Sequence, residues 1–284
     1  MVRTRRRQSA RTFAREVARS HRLMALLTQN SELRPDRIWN WSIPALTAVL
    51  KDGQRISTCP SAGICASVCY ARNGTYLFSN VLAAHTRNLQ MVIDDHIAWR
   101  EQMIAELHTV RFQRPASPRT LPIPHEQITH WHDDEWLRLW CTLGLPAIRV
   151  HDSGDFFADW YLDDWLHIAR QTPTLLFYAY TKEITMMQAA QDIPHNFRWL
   201  ASTGGTQDHL ITDEMRHADV FPDEQTITGM GYMSQDASDL LAILLDTQKI
   251  GIPANNIKHF NRRIAGRTFS QMQTEIDDRR ASKI

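Results

Sequence analysis

Apolar residues along the middle of the chain form short blocks whose period alternates between that of strands and that of helices. PAIRVHDSGD (146–155), TLLFYAYTKE (174–183) and FRWLASTGG (197–205) predict buried strands that end in polar turns. Between them, ADWYLDDWLHIARQ (158–171) and TMMQAAQ (185–191) predict helices. Because strands alternate with helices over short links, the pattern predicts βαβ units, an α/β fold with parallel strands and right-handed crossovers.

The segments before this sheet predict one more strand and a long helical region. RIWNWSIPAL (37–46) is rich in aromatic residues and isoleucine and predicts a buried strand. The segment from 79 to about 112 predicts a helix that is broken near Asn88. Four prolines in 113–127 indicate an exposed loop.

Two further amphipathic segments predict helices on either side of the three strands. DDEWLRLWCTLG (133–144) has Asp133 as its predicted N-cap and Gly144 as its predicted C-cap. DASDLLAILLDTQKIG (236–251) predicts a helix that ends at its last glycine.

Small or polar residues follow each of the three middle strands. Ligands of parallel α/β folds bind at the carboxyl ends of the strands, so we expect these residues to share a site. The predicted cofactor-binding residues are Asp155, Gly154, Ser153, Lys182, Ser202 and Thr203. The alternative is that they only form the turns and helix caps that any such connection needs.

Three of the four cysteines lie in one loop, CPSAGICASVCYARNG (59–74), which we call the cysteine loop. The spacing Cys59-x5-Cys65-x3-Cys69 supplies three soft thiolate ligands for zinc or an iron–sulfur cluster. Three cysteines without a clear fourth suit a [4Fe–4S] cluster with one iron left open, and small neighbours let the backbone approach the sulfurs. The alternative is three buried free thiols.

Other residues offer less regular metal-binding patterns. His85 or Cys141 could complete a zinc site, although Cys141 lies among apolar helix residues and is expected in the core. HEQITHWHDDEW (125–136) contains His125, His130, His132, Asp133 and Asp134, which could hold a divalent ion. HDSGD (151–155) could bind Mg²⁺ in a nuclease.

Composition and charge narrow the classes of protein. Four cysteines in 284 residues do not form a disulfide scaffold, and no apolar run approaches 18 residues, so we expect no membrane span. The N-terminus has no apolar segment typical of a secretory signal. We therefore expect a cytoplasmic protein whose thiols stay reduced and available to metal.

The net charge of +1 conceals an uneven distribution. Residues 1–22 hold eight basic residues and one acid, which leaves 24 basic and 30 acidic residues in the remainder. We expect two parts, a basic helical N-terminal arm (1–34) and an α/β domain (35–284). Residues 1–22 could contact nucleic acid, and NIKHFNRRIAGR (256–267) offers a second basic patch; the alternative for both is a solvated surface.

Several motifs together resemble a known family. TCPSAGICASVCYARNGTYLFSNVLAAHTRNLQ, RVHDSGDFFADWYLDDW, FYAYTK and LASTGG are similar to the phage gene product 88 family over about residues 37–205. A cysteine loop after the first strand of a parallel α/β barrel also resembles the radical SAM superfamily, whose enzymes use S-adenosylmethionine (SAM). The cysteine spacing there is usually x3 and x2, so this chain differs in both intervals.

The radical SAM resemblance implies a partial or full (β/α) barrel in which Cys59, Cys65 and Cys69 hold a [4Fe–4S] cluster and SAM binds the open iron. It also implies that Asp155 replaces the glutamate that usually binds the SAM amino group. Our leading hypothesis is thus a phage or mobile-element iron–sulfur protein of the radical SAM type, in the cytoplasm of a host cell. The alternative is a non-catalytic regulatory protein that binds nucleic acid or senses redox state, with a structural iron–sulfur or zinc site.

Overall fold

A computed structural model describes residues 25–122, 125–128, 134–254 and 258–283, and for 125 and 258–260 only the backbone. Its centre is a sheet of seven parallel strands in the order β1-β4-β5-β6-β7-β9-β8, compatible with a partial barrel. These strands are β1 (Ile38–Trp41), β4 (Ala147–Val150), β5 (Leu176–Thr181), β6 (Phe197–Ser202), β7 (His217–Phe221), β8 (Met233–Ser234) and β9 (Lys249–Pro253). A separate hairpin pairs β2 (Thr47–Val49) with β3 (Arg55–Ser57).

Helices connect the strands and cover the sheet. The α-helices of the described residues are α1 (Cys65–Val68), α2 (Ser79–Asp94), α3 (His96–Leu107), α4 (Val110–Gln113), α5 (Glu135–Leu143), α6 (Asp159–Gln171), α7 (Ile184–Ala189), α8 (Glu224–Gly229), α9 (Leu241–Leu244), α10 (Lys258–Ile264) and α11 (Phe269–Ala281). The strand–helix alternation predicted for 146–205 is confirmed as β4-α6-β5-α7-β6. None of these helices has both the length and the apolar character needed to cross a membrane.

Both faces of the sheet are buried, as a parallel sheet requires. Phe177 on β5 belongs to an apolar cluster with Trp99 of α3 and Trp165 of α6. Its neighbour Tyr178 belongs to a second cluster with Trp140 of α5. Because successive residues of a strand point to opposite faces, these two clusters form the layers on either side of the sheet.

Two predicted elements are wrong at their boundaries. The helical region from 79 breaks at Asp95, whose carboxylate accepts a hydrogen bond from Ala98 N (2.9 Å) and begins α3. Asn88 lies buried inside α2 and donates to Ser42 O (2.9 Å). Asn88 therefore does not interrupt the helix, because its polar side chain is satisfied by a partner outside the helix.

The predicted helix over 236–251 is also wrong. Only Leu241–Leu244 is helical, and Lys249–Pro253 forms β9 between β7 and β8. Position 251 of this strand requires glycine, because a Cβ there would lie 2.8 Å from Ile227 Cγ1. The apolar run is long enough for a helix, but burial in the sheet decides otherwise.

The predicted ends of α5 and of the first strand agree only in part with the structure. Asp134 is the N-cap of α5, accepting from Leu137 N (2.8 Å), in place of the predicted Asp133, which lies outside the described residues. The predicted C-cap Gly144 is confirmed, with φ +56°. The first strand ends at Trp41, earlier than predicted. The basic segment 1–22 lies outside the described residues.

Candidate functional site

A cavity of about 510 Å³ opens at the carboxyl ends of the parallel strands. The sulfur-bearing residues Cys59, Cys65 and Cys69 all line it. So do five of the six residues predicted from the strand ends, namely Ser153, Gly154, Asp155, Lys182 and Ser202. The cysteines predicted from their spacing and most of the residues predicted from the strand ends therefore line the same cavity.

Thr203 is the sixth predicted residue and does not line this cavity. Its hydroxyl donates to Asp219 Oδ1 (2.6 Å), and both residues are buried. The side chain therefore stabilises β7 and the turn after β6.

The cysteine loop is tied to the turns that follow β5 and β6. Glu183 accepts hydrogen bonds from Ser61 N (2.8 Å) and Ser61 Oγ (2.9 Å). Gly204 O accepts a hydrogen bond (3.0 Å) from the backbone N–H of Cys65, which is the first residue of α1. The polar strand ends therefore hold the loop that carries the cysteines, in addition to lining the cavity.

The Gly204-Gly205 pair is required by this close approach. Gly204 has φ +82°, a conformation that favours glycine, and a Cβ on Gly205 would lie 2.8 Å from Ser61 O. Side chains at these positions would push the cysteine loop away from the sheet.

The three thiols have different electrostatic environments. Burial raises the pKa of Cys59 to about 12, and its sulfur accepts a hydrogen bond from Leu46 N (3.3 Å). A hydrogen bond with the Cys69 thiol lowers the pKa of Cys65, and the Lys182 charge lowers it further. The same bond raises the pKa of Cys69. Cys65 is therefore the first of the three thiols to lose its proton. The thiolate is the form of cysteine that binds metal.

Asp155 and Lys182 are buried beside the thiols and interact electrostatically. Asp155 accepts from Thr181 Oγ1 (2.6 Å), Lys182 N (2.9 Å) and Phe156 N (2.8 Å), while burial raises its pKa. Burial alone would lower the pKa of Lys182, but the charges of Cys65 and Asp155 raise it, so Lys182 stays protonated. Its ammonium group donates to Ser202 Oγ (2.7 Å).

His151 is a buried residue of the cavity wall with an unusual backbone. Its φ is +67°, which few residues other than glycine and asparagine adopt. Tyr161 Oη accepts from Trp41 Nε1 (2.9 Å) and shares a hydrogen bond with His151 Nε2, also at 2.9 Å. Burial keeps the ring neutral, and its Nδ1 has no hydrogen-bond partner within the described residues.

Replacement of His151 by Asn should flatten the loss of stability in acid. Burial lowers the pKa of His151 to about 3. In the unfolded chain the ring takes up a proton below about pH 6.5, so unfolding is favoured as the pH falls. Between pH 7 and pH 5 wild type should lose about 2 kcal/mol more unfolding free energy than His151→Asn. Urea unfolding at both pH values measures this; parallel losses would contradict it.

The structure adds a buried charged cluster that sequence reasoning missed. Arg149 Nη1 lies 3.4 Å from Asp152 Oδ1 and 3.3 Å from Asp239 Oδ2. Tyr76 donates to Asp152 (2.7 Å) and Tyr180 donates to Asp239 (3.0 Å). All five residues line the cavity. An arginine inside the apolar strand AIRV was the available signal, because such a charge must find buried partners.

Three other predicted metal ligands, Cys141, Asp134 and His85, do not line the cavity. Cys141 lies in an apolar cluster, as expected, and burial raises its pKa to about 11. Asp134 pairs with Arg198 (2.8 Å) in addition to capping α5. His130, His132 and Asp133 and the side chain of His125 lie outside the described residues. His85 contacts Tyr76, with 6.1 Å between ring centroids, and is not among the cavity-lining residues.

The described side chains do not form a site for a single metal ion. Within the described ranges, no group of three or more His, Cys, Asp or Glu residues is arranged to hold one ion. This includes HDSGD, where Asp152 pairs with Arg149 and Asp155 accepts three hydrogen bonds. The Mg²⁺ interpretation of that motif therefore gains no support.

The fold and the site define a parallel α/β protein with a cysteine-lined cavity at the carboxyl ends of its strands. The chain belongs to the Gene product 88 family, whose sequence model matches residues 16–283. No curated protein and no solved structure matches it. The predicted membership in this family is confirmed, and it covers more of the chain than the motifs indicated.

Proposed function

We propose that this chain is an iron–sulfur protein that binds a [4Fe–4S] cluster through Cys59, Cys65 and Cys69. The supporting observation is that all three cysteines line one cavity at the carboxyl ends of the strands. A lowered pKa on Cys65 favours the thiolate that iron binds. Three thiolates leave one of four irons without a protein ligand.

The absence of a single-ion arrangement supports a cluster over zinc. Tetrahedral zinc needs its ligands to converge on one point. In a four-iron cluster each thiolate binds a different iron, so the sulfurs stand farther apart. The three cysteines share a cavity without forming a single-ion group, and the hydrogen bond between Cys65 and Cys69 holds only those two sulfurs close together.

We further propose that the cavity binds SAM in a reaction of the radical SAM type. When bound, a [4Fe–4S] cluster supplies electrons to a ligand beside it. Lys182 is positioned to pair with a carboxylate of such a ligand. Ser153 Oγ is buried without a hydrogen-bond partner among the described residues and can bind a further polar group. Asp155 already accepts three hydrogen bonds, so its main role here is to hold the strand ends and balance Lys182.

Anaerobic purification followed by iron, sulfide and zinc analysis tests the cluster. We expect about four irons and four sulfides per chain, as the cluster formula requires. Stoichiometric zinc without iron would refute it. Formation of 5′-deoxyadenosine from SAM on reduction then tests the reaction, and a reducible cluster that neither binds nor cleaves SAM would refute the radical SAM part alone.

A non-catalytic redox sensor is a second candidate, because Cys65 and Cys69 already share a hydrogen bond. A low-pKa thiol next to a second thiol is the arrangement of a redox-sensing pair. In this case the basic arm would contact nucleic acid. Deletion of 1–22 should then weaken DNA binding and reduce its salt dependence, and unchanged binding would exclude the arm.

A further inference from the structure

The C-terminal helix α11 makes a contact with the cysteine loop that none of the predicted site residues provides. Gln273, which is 1% exposed, accepts a hydrogen bond from Ile64 N at 2.7 Å through Oε1. Ile64 directly precedes Cys65. The two residues are 209 positions apart in sequence, so this bond is a purely tertiary feature.

The orientation of the Gln273 amide is determined by its other partner. Nε2 donates to both carboxylate oxygens of Asp277, each at 3.1 Å. A carboxylate only accepts, so the amide cannot turn over without placing oxygen against oxygen. Oε1 is therefore held toward the cysteine loop.

The cysteine loop is shaped to receive this side chain. Gly63 has φ +36°, and a Cβ there would collide with Gln273 Oε1 and lie 2.6 Å from Gly204 O. Val68 of α1 packs in one apolar cluster with Phe269 and Met272 of α11. Both polar and apolar contacts thus join the two segments.

The helix is itself anchored to the sheet. Its capping box joins Thr268 and Gln271, and the backbone N–H and hydroxyl of Ser270 both donate to the buried Asp219 of β7. Movement of α11 away from the loop would break these bonds as well. The anchor makes Gln273 a fixed point rather than a mobile surface contact.

We infer that Gln273 is a positioning residue for the cysteine loop, acting on Cys65 through the Ile64 amide. Its effect on the loop is independent of any metal, whereas its effect on iron rests on the proposed function. Without the bond, residues 62–65 lose one of the contacts that hold Cys65 at the cavity wall, and bound iron should leave more readily.

Gln273→Met tests this inference, because it retains length and loses both amide contacts. Hydrogen exchange of peptides that cover 59–74, measured by mass spectrometry on the full chain, should become about tenfold faster, the effect of one lost hydrogen bond. The matched control is Gln188→Met on an exposed position of α7, which should leave this exchange unchanged. Exchange that stays slow, or that rises equally throughout the chain, would overturn the inference.

A rescue variant keeps the test informative if Gln273→Met folds poorly. Gln273→Glu retains the acceptor for Ile64 but repels Asp277. The double variant Gln273→Glu with Asp277→Asn restores donor and acceptor in exchanged places, and it should return exchange in 59–74 toward the wild-type rate. Failure of this rescue in a folded protein would contradict the role.

Iron measurements separate the inference from the proposed function. If wild type binds iron, chelator-driven iron loss should be several-fold faster in Gln273→Met than in Gln188→Met, and equal rates would overturn the link to Cys65. If wild type binds no iron, the proposed function fails while hydrogen exchange still decides the role of Gln273.

Discussion

Under the proposed function, Cys65→Ala should lower the iron content of the anaerobically purified protein from about four per chain to less than one. Cys65 is the cysteine whose pKa is lowered by its neighbours. It is the first residue of α1, and its backbone N–H donates to Gly204 O in the turn after β6. A cluster with two remaining thiolates loses a third of its protein ligands and becomes open to solvent. Iron and acid-labile sulfide analysis measures the effect.

Cys141→Ala is the matched control for this experiment. Cys141 lies on α5, where it is buried in an apolar cluster, and it does not line the cavity. Its replacement should leave iron content at the wild-type value. Equal iron in Cys65→Ala and wild type would show that the cysteine loop is not the site, and equal losses in both variants would indicate general misfolding.

Asp155→Ala should destabilise the fold by about 3–5 kcal/mol. The carboxylate accepts from Thr181 Oγ1, Lys182 N and Phe156 N, so its removal leaves three donors without this acceptor. Each buried donor left without a partner costs about 1–3 kcal/mol, so the loss of three hydrogen bonds dominates. The free energy of unfolding in urea measures this loss.

The control for Asp155→Ala is Asp163→Ala on the exposed side of α6. A surface change of this kind should alter the unfolding free energy by less than about 0.5 kcal/mol. A loss below about 1 kcal/mol for Asp155→Ala would mean that water replaces its contacts, and that the residue is available to a ligand instead.

Much of the site could be predicted from local sequence. The βαβ period placed β4, β5 and β6 in one parallel sheet, and their polar ends, including Asp155 and Lys182, follow from chain direction alone. Three cysteines within eleven residues indicated the other part of the site, the cysteine loop. Thr203 shows the limit, because neighbouring residues of a turn face different partners and only one of Ser202 and Thr203 lines the cavity.

The sequence by itself determined the parallel α/β class, the three strand ends and the cysteine loop, since each depends on periodicity or spacing within a few residues. Only the tertiary structure decided that Arg149 meets Asp239, that Gln273 holds Ile64, and that Lys249–Pro253 is a strand. These features join positions up to 209 residues apart. No local pattern encodes such pairs, because the energy that selects them comes from burial and hydrogen bonding in the assembled fold.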